Sequence, residues 1–202
     1  MTAGAPGTFS SRPLTPQTWA DLEYLFNLRG GSIVRGCWCM AYRRTGKPPG
    51  LGGPPGSMAA ANKQDMRDLV ESGVVPGLIG YSDREPAGWI SFGPREEYLK
   101  LRRSPVMKPV DDTPVWSVVC SYVAKPYRGT GMQRRLLAAA IEYAREQGAS
   151  VLEAYPVDKA ERSDDDFMWF GSRSLYERAG FREIVRRSPT RVLMRLELGD
   201  EG

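Results

Sequence analysis

Apolar residues recur along the chain in two patterns, one of helical spacing and one of strand alternation, and their succession predicts a mixed α and β domain. Trp19, Leu22, Leu25 and Phe26 share one face of a helix from about Pro16 to Leu28, which Gly30 and Gly31 end. Ile33 to Tyr42 is apolar and aromatic. A second helix runs from Ser57, as its cap, to about Glu71. Leu78–Tyr81 and Ala87–Phe92 read as strands joined by a hairpin turn at Ser82-Asp83-Arg84-Glu85-Pro86. Val115–Ala124 is a long strand, apolar on both faces. Leu136, Leu137, Ala140, Ile141 and Ala144 mark the buried face of a helix over Gln133–Gln147, and Gly148 stops it. Val151–Pro156 is another strand. The acidic stretch Asp158–Asp166 then leads to Phe167, Trp169 and Phe170. Ser172–Ala179 is a short helix closed by Gly180, and Phe181–Arg186 and Arg191–Leu198 are the last strands. Residues 1–12 are small and polar and read as a disordered tail, with a single domain over 13–202. Thr45–Gly56 holds five Gly and four Pro in twelve residues, which makes about 44–57 a loop.

Size and composition narrow the classes. A chain of 202 residues suits one domain with a core that needs neither disulfides nor metal. The longest apolar run, Leu136–Ile141, is six residues, so no membrane span is expected. Met1–Thr8 has no basic cluster and no apolar stretch, which reads as a chain without an export leader. With an odd set of thiols (Cys37, Cys39 and Cys120), that points to a reducing, cytoplasmic setting. The net charge of +4 favours an anionic ligand but is too small to argue for nucleic acid. The chain contains no histidine, which removes Ser-His-Asp and Cys-His nucleophile pairs and zincin sites. Acid–base chemistry must then use carboxylate, Tyr, Lys, Cys or water. Cys37-Trp38-Cys39 invites a zinc reading, but only Cys120 remains as a further thiol, one ligand short. A thiol pair around an aromatic, with no metal, is the expectation.

Val123–Leu137, VAKPYRGTGMQRRLL, carries the most chemistry. A buried strand runs into Arg128-Gly129-Thr130-Gly131, which opens an amphipathic helix. Glycines let such a turn aim its N–H groups outward, and a helix N-terminus adds unpaired donors and partial positive charge. With the Arg128 cation, these suit a pyrophosphate; the competing reading is a turn that binds nothing. A phosphate-binding Walker loop is excluded, because Gly46-Lys47 is followed by Pro48. A dinucleotide fingerprint is excluded because Arg134 stands where its third glycine belongs.

These residues resemble the GCN5-related N-acetyltransferase (GNAT) family, whose signature is Gln/Arg-x-x-Gly-x-Gly/Ala. Arg128 and Gly131 match, and Gln133 departs at the last position. Ser174-Leu175-Tyr176-Glu177-Arg178-Ala179-Gly180-Phe181 is similar to the family's second signature, and the likeness covers roughly residues 77–198. Cys37-Trp38-Cys39 and Gly93-Pro94-Arg95-Glu96 further resemble actinobacterial-type members. The resemblance implies an α/β acyltransferase fold, with a mostly antiparallel twisted sheet of six to seven strands and helices on both faces.

It also implies an acetyl-CoA-dependent N-acetyltransferase that passes acetyl directly to an amine. Backbone N–H groups at Arg128, Gly129, Thr130, Gly131, Met132 and Gln133 would hold the pyrophosphate of acetyl-CoA. Ser121, Tyr122 and Val123, with Cys120, would line the pantetheine arm. Tyr176 would protonate the leaving thiolate, as a phenol of pKa near 10 is able to do; a core aromatic is the competing reading. The base stays open among Glu153, Asp111, Asp112 and a water chain. Glu153 stands out as a carboxylate in an apolar strand, explained either by acid–base work or by a salt bridge to an arginine. On the acceptor side, Trp38, Tyr42, Trp89 and Phe92 would form an aromatic wall or plain core. Arg95 would hold a carboxylate or sit in solvent. Asp164-Asp165-Asp166 would attract a cationic amine or form a solvated loop. The 45–56 segment is a lid or a linker. The expected partner is a small-molecule amine, with no nucleic acid and no membrane, and a homodimer is compatible with all of this. A protein or peptide acetyltransferase and a non-catalytic acyl-CoA sensor are the alternatives.

Overall fold

The structure, a computed structural model, describes residues 7–45, 57–158 and 170–199. Seven strands form one sheet in the order β1-β2-β3-β4-β5-β7-β6. They are β1 (Phe9–Pro13), β2 (Gly77–Ser82), β3 (Glu85–Pro94), β4 (Trp116–Val123), β5 (Val151–Ala154), β6 (Arg182–Ser188) and β7 (Arg191–Glu197). Only β4 and β5 run parallel; every other neighbouring pair is antiparallel. The helices are α1 (Trp19–Asn27), α2 (Ser32–Cys37), α3 (Ser57–Glu71), α4 (Leu99–Arg103), α5 (Met132–Glu146) and α6 (Arg173–Arg178). This is the expected α/β architecture, with helices on both faces of the sheet.

Each face of the sheet buries its own core. On one side Trp89, Val119, Cys120 and Tyr122 pack against Leu22, Leu25, Phe26 and Trp38 of the α1–α2 region. On the other, Ile90, Phe92 and Val118 pack against Leu136, Leu137 and Ala140 of α5 and against Tyr176 of α6. Gly80 of β2 and Gly88 of β3 let α5 lie close, since a Cβ at either position would stand 2.8 Å from a Leu136 methyl. The β2–β3 hairpin turns through Asp83 and Arg84, both at positive φ (47° and 73°), the backbone that matches strand twist in a two-residue turn.

The tail reading needs correction. Residues 9–12, expected in the disordered tail, belong to β1, which pairs with β2 from Phe9↔Ser82 to Pro13↔Leu78. Ser10, Ser11 and Arg12 carry no apolar run, so the strand forms through its neighbour's open edge rather than through its own pattern. The helix α4 was also unsuspected, being too short to show a period. The 46–56 segment and the stretch 159–169, which includes Asp164, Asp165 and Asp166, lie outside the described residues. No helix among the described residues is long and apolar enough to cross a membrane.

Candidate active site

Two irregularities in β4 shape the site. Between Ser91↔Cys120 and Phe92↔Val118 the register shifts by one residue, a bulge at Val119. An extra residue reverses which face the following side chains meet. Val118 therefore joins the α5 core, while both Val119 and Cys120 join the α1–α2 core. The second irregularity is the parting of β4 from β5. Their ladder spans Trp116↔Leu152, Ser117↔Glu153 and Val118↔Ala154, and then stops. Beyond it β5 leads into Tyr155 and Pro156, and an opening lies beside residues 119–123.

The glycine turn stands at one end of that opening. Lys125–Tyr127 makes a short 3-10 turn after β4, and Gly129 and Gly131 follow with φ of 77° and 80°. Gly131 is the residue before α5, in the left-handed region where an L side chain is strained. A Cβ at either glycine would meet no atom within 4 Å, so the backbone conformation, not space, demands glycine. Side chains brace the turn from within: Arg128 Nε donates to the Val123 carbonyl at 3.2 Å, and Thr130 Oγ1 to the Tyr127 carbonyl at 2.7 Å. No side chain caps the first N–H groups of α5 among the described residues. They keep their donors and the positive end of the helix dipole for a ligand. Met132 itself is buried against β2 and β3.

Gln133 reaches across the opening. Its amide Nε2 donates to Ser121 Oγ at 2.7 Å. The same nitrogen lies 3.4 Å from where a Cβ on Gly171 would stand, and Tyr176 Cε2 lies 3.1 Å from that point. Ser121, Gln133, Gly171 and Tyr176 therefore form one cluster drawn from β4, α5, the segment before α6 and α6. Gln133, the departure from the family motif, thus ties α5 to β4 through a side-chain bond that the local sequence does not encode.

Ser172 caps α6, accepting the Leu175 N–H at 3.3 Å, and the helix presents Tyr176 inward. Tyr176 is 1% exposed and meets Phe181 edge-on, with ring centroids 5.1 Å apart. Its hydroxyl makes no hydrogen bond among the described residues. Burial, with the Cys120 thiol adding to it, pushes the phenol well above its ordinary value, so it stays protonated.

Glu153 is fully buried at the root of the opening, and its oxygens are taken. Tyr155 Oη donates to it at 2.6 Å, Arg195 Nε at 2.8 Å and Arg95 Nη1 at 3.4 Å. Arg195 also holds Asp111 through Nη1 at 2.6 Å and Nη2 at 3.0 Å. Hydrogen bonding to these carboxylates, Asp111 first, raises the Arg195 pKa, and the same contact holds Asp111 well below the usual carboxylate range. Of the two sequence readings of Glu153, this is the salt bridge. Two guanidiniums and a phenol occupy its oxygens, and none of the residue is exposed. Asp111 is engaged in the same network, and Asp112 is exposed.

Beyond Val119 and Cys120, on the α1–α2 face, lies a cavity of about 450 Å³. Ile33, Val34 and Cys37 of α2 line it, with Cys39, Tyr42 and, from α4 and beyond, Lys100, Arg103 and Met107. Of the expected acceptor-side residues, only Tyr42 lines this cavity. Trp38 and Trp89 are core, and so is Phe92, on the opposite face of the sheet. Trp38 ends α2 at φ 45°, a left-handed turn that lays its ring on Trp19 at 5.6 Å. Trp89 Nε1 donates to Cys39 Sγ at 3.2 Å. Arg95 faces neither cavity nor solvent but the buried Glu153. The expected thiol pair is present, with the Cys39 N–H donating to Cys37 Sγ at 3.4 Å, and Cys120 lines the same cavity; the neighbouring Cys120 thiol and burial push the Cys39 thiol up. No group of three His, Cys, Asp or Glu side chains among the described residues is placed to hold a metal ion.

Residues 54–181, more than half of the chain, match the acetyltransferase (GNAT) family. The chain belongs to the GNAT family. Solved structures agree with the fold over nearly the whole chain. A GNAT-family acetyltransferase from Streptococcus agalactiae has a TM-score of 0.56 at 11% identity, covering 94% of this chain and 95% of that one. The yncA protein from Salmonella typhimurium, solved with its cofactor acetyl-CoA, gives 0.51 at 18% identity, covering 96% and 95%. Ribosomal-protein-alanine N-acetyltransferase from Brucella melitensis gives 0.51 at 19%, covering 93% and 99%. No curated protein matches the chain. As a GNAT member the protein is an acetyl-CoA-dependent N-acetyltransferase. Its residues fit that cosubstrate: an uncapped helix N-terminus behind two positive-φ glycines, and an opening along β4 that leads from that turn to Tyr176.

Proposed function

We propose that this GNAT enzyme acetylates the amine of a small molecule. The observation that carries the reading is the cavity of about 450 Å³ against Val119 and Cys120, on the other face of the sheet from the glycine turn. Its volume lies in the range of small-molecule sites, roughly 300–1,000 Å³. Acetyl-CoA approaches along β4 from the α5 face, and the amine from the α1–α2 face. The opening beyond Val118 is where they meet.

In this scheme the N–H groups from Arg128 to Gln133 hold the pyrophosphate, and the backbone of Ser121, Tyr122 and Val123 pairs with the pantetheine arm. The amine lone pair attacks the thioester carbon, the carbon–sulfur bond breaks, and the thiolate takes the Tyr176 proton. Solvent then returns a proton to the phenolate. No carboxylate among the described residues lines the cavity, and the acceptor's own proton leaves to water. The ion pairs of Glu153 support its role as a brace at the root of the opening rather than as the base. Three free thiols fit a cytoplasmic setting, and Cys37-Trp38-Cys39 fits the actinobacterial-type subgroup.

The test is thiol release from acetyl-CoA over a panel of small amines, with Tyr176→Phe measured beside the wild type. The expected result is turnover on at least one amine class, lowered about 100-fold in the variant, with acetyl-CoA affinity unchanged. Acetyl-CoA binding with turnover only on peptides would overturn the small-molecule reading. Binding without any turnover would make the protein a sensor.

A further inference from the structure

The cavity wall carries an uneven charge pattern. Ile33, Val34, Met107 and Val119 make it apolar, and the Cys37 and Cys39 thiols are both held above their ordinary value. Among the described residues, its only charged lining residues are Lys100 and Arg103. Both come from α4, whose sequence Leu-Lys-Leu-Arg-Arg brings three cations in five residues. Both are exposed, and neither forms an ion pair among the described residues. Of the two acids just before α4, Glu97 is paired with Arg43 and Glu96 is exposed. Two cations without counter-charge at the rim of a low-dielectric space draw anions and repel ammonium groups. The apolar wall, by contrast, rewards burial of hydrocarbon. The edge of β4 at Val119 and Cys120, where acetyl transfer would occur, lies elsewhere on the same wall.

From this pattern we infer that the acceptor is an amine with an apolar body and a carboxylate. Lys100 and Arg103 take the carboxylate, the body fills the space between α2 and Met107, and the amine points to the β4 edge. The inference rests on the acetyl-transfer reading and adds the class of acceptor to it. It also accounts for a wall without acidic residues among the described ones: a site for a simple cationic amine gains from a carboxylate, whereas a site for an acid does not.

The test uses matched pairs that differ only in the acid group: 4-(aminomethyl)benzoate against benzylamine, phenylalanine against 2-phenylethylamine, and 6-aminohexanoate against pentylamine. Thiol release is followed at saturating acetyl-CoA. In at least one pair the acid is expected to show a kcat/KM at least tenfold above its acid-free partner. Lys100→Gln with Arg103→Gln is expected to cut the acid's kcat/KM at least tenfold more than the acid-free partner's, chiefly through KM. Both positions are exposed, so the double variant should melt with the wild type. Acid-free amines equal to or better than the acids in every pair would overturn the inference. So would a double variant that lowers both members alike, or a protein that binds acetyl-CoA and uses none of the acids. Failure to bind acetyl-CoA at all would instead overturn the acetyl-transfer reading beneath it.

Discussion

Replacing Glu153 by glutamine separates a structural carboxylate from a catalytic one. The side chain is fully buried and holds Tyr155 at 2.6 Å, Arg195 at 2.8 Å and Arg95 at 3.4 Å. Glutamine keeps the shape but loses the charge, and its amide nitrogen faces donors. Arg195 retains Asp111. Arg95 retains only the carbonyl oxygens of Asp111 and Thr113, at 3.4 and 3.3 Å. Breaking a buried pair by removing one partner costs about 3–5 kcal/mol. Because one guanidinium keeps a carboxylate, and the glutamine oxygen still accepts, the low end applies, about 3 kcal/mol. At roughly 2–4 °C per kcal/mol for a domain of this size, the midpoint should fall by about 6–12 °C. Thermal melts followed by circular dichroism measure this directly. Rates taken well below both midpoints, across pH, should keep the acid limb of the wild type. A variant that melts with the wild type yet loses its acid limb would refute this reasoning and return Glu153 to the role of general base.

Two further substitutions probe the turn and the network. Gly131→Ala meets no atom within 4 Å, so its effect comes from forcing an L side chain to φ 80°. That strain, about 1–2 kcal/mol, should weaken acetyl-CoA binding severalfold by calorimetry with little loss of secondary structure; unchanged affinity would mean that the turn does not hold the ligand. Asp111 is held below the usual carboxylate range by the Arg195 guanidinium. A lowered carboxylate adds stability that is full above its unfolded pKa, about 3.9, and is lost as pH falls through the lower folded value. The stability gap between wild type and Asp111→Asn, from urea melts, should therefore shrink as pH drops from 5 toward 2, and a gap constant with pH would count against the pair.

What the sequence disclosed divides by range. The turn from Arg128 to Gly131 and the α6 signature around Tyr176 are local: their glycines, caps and helix faces are written in contiguous residues, and the structure folds them where the pattern placed them. The cavity is not local. Its wall joins α2, α4 and β4, and its reach to Cys120 depends on a single bulge at Val119 that no periodicity announces. Trp38 shows the same limit. The family resemblance places it in the acceptor wall or the core, and the left-handed turn at Trp38 and Cys39 sends its ring onto Trp19. Glu153 was conspicuous as a carboxylate in an apolar strand, yet burial alone does not distinguish a base from an ion pair. The deciding partners, Arg95 and Arg195, lie 58 and 42 residues away in the chain. A buried charge therefore announces that something must compensate it, while only the assembled sheet says whether the compensation leaves a proton free to move.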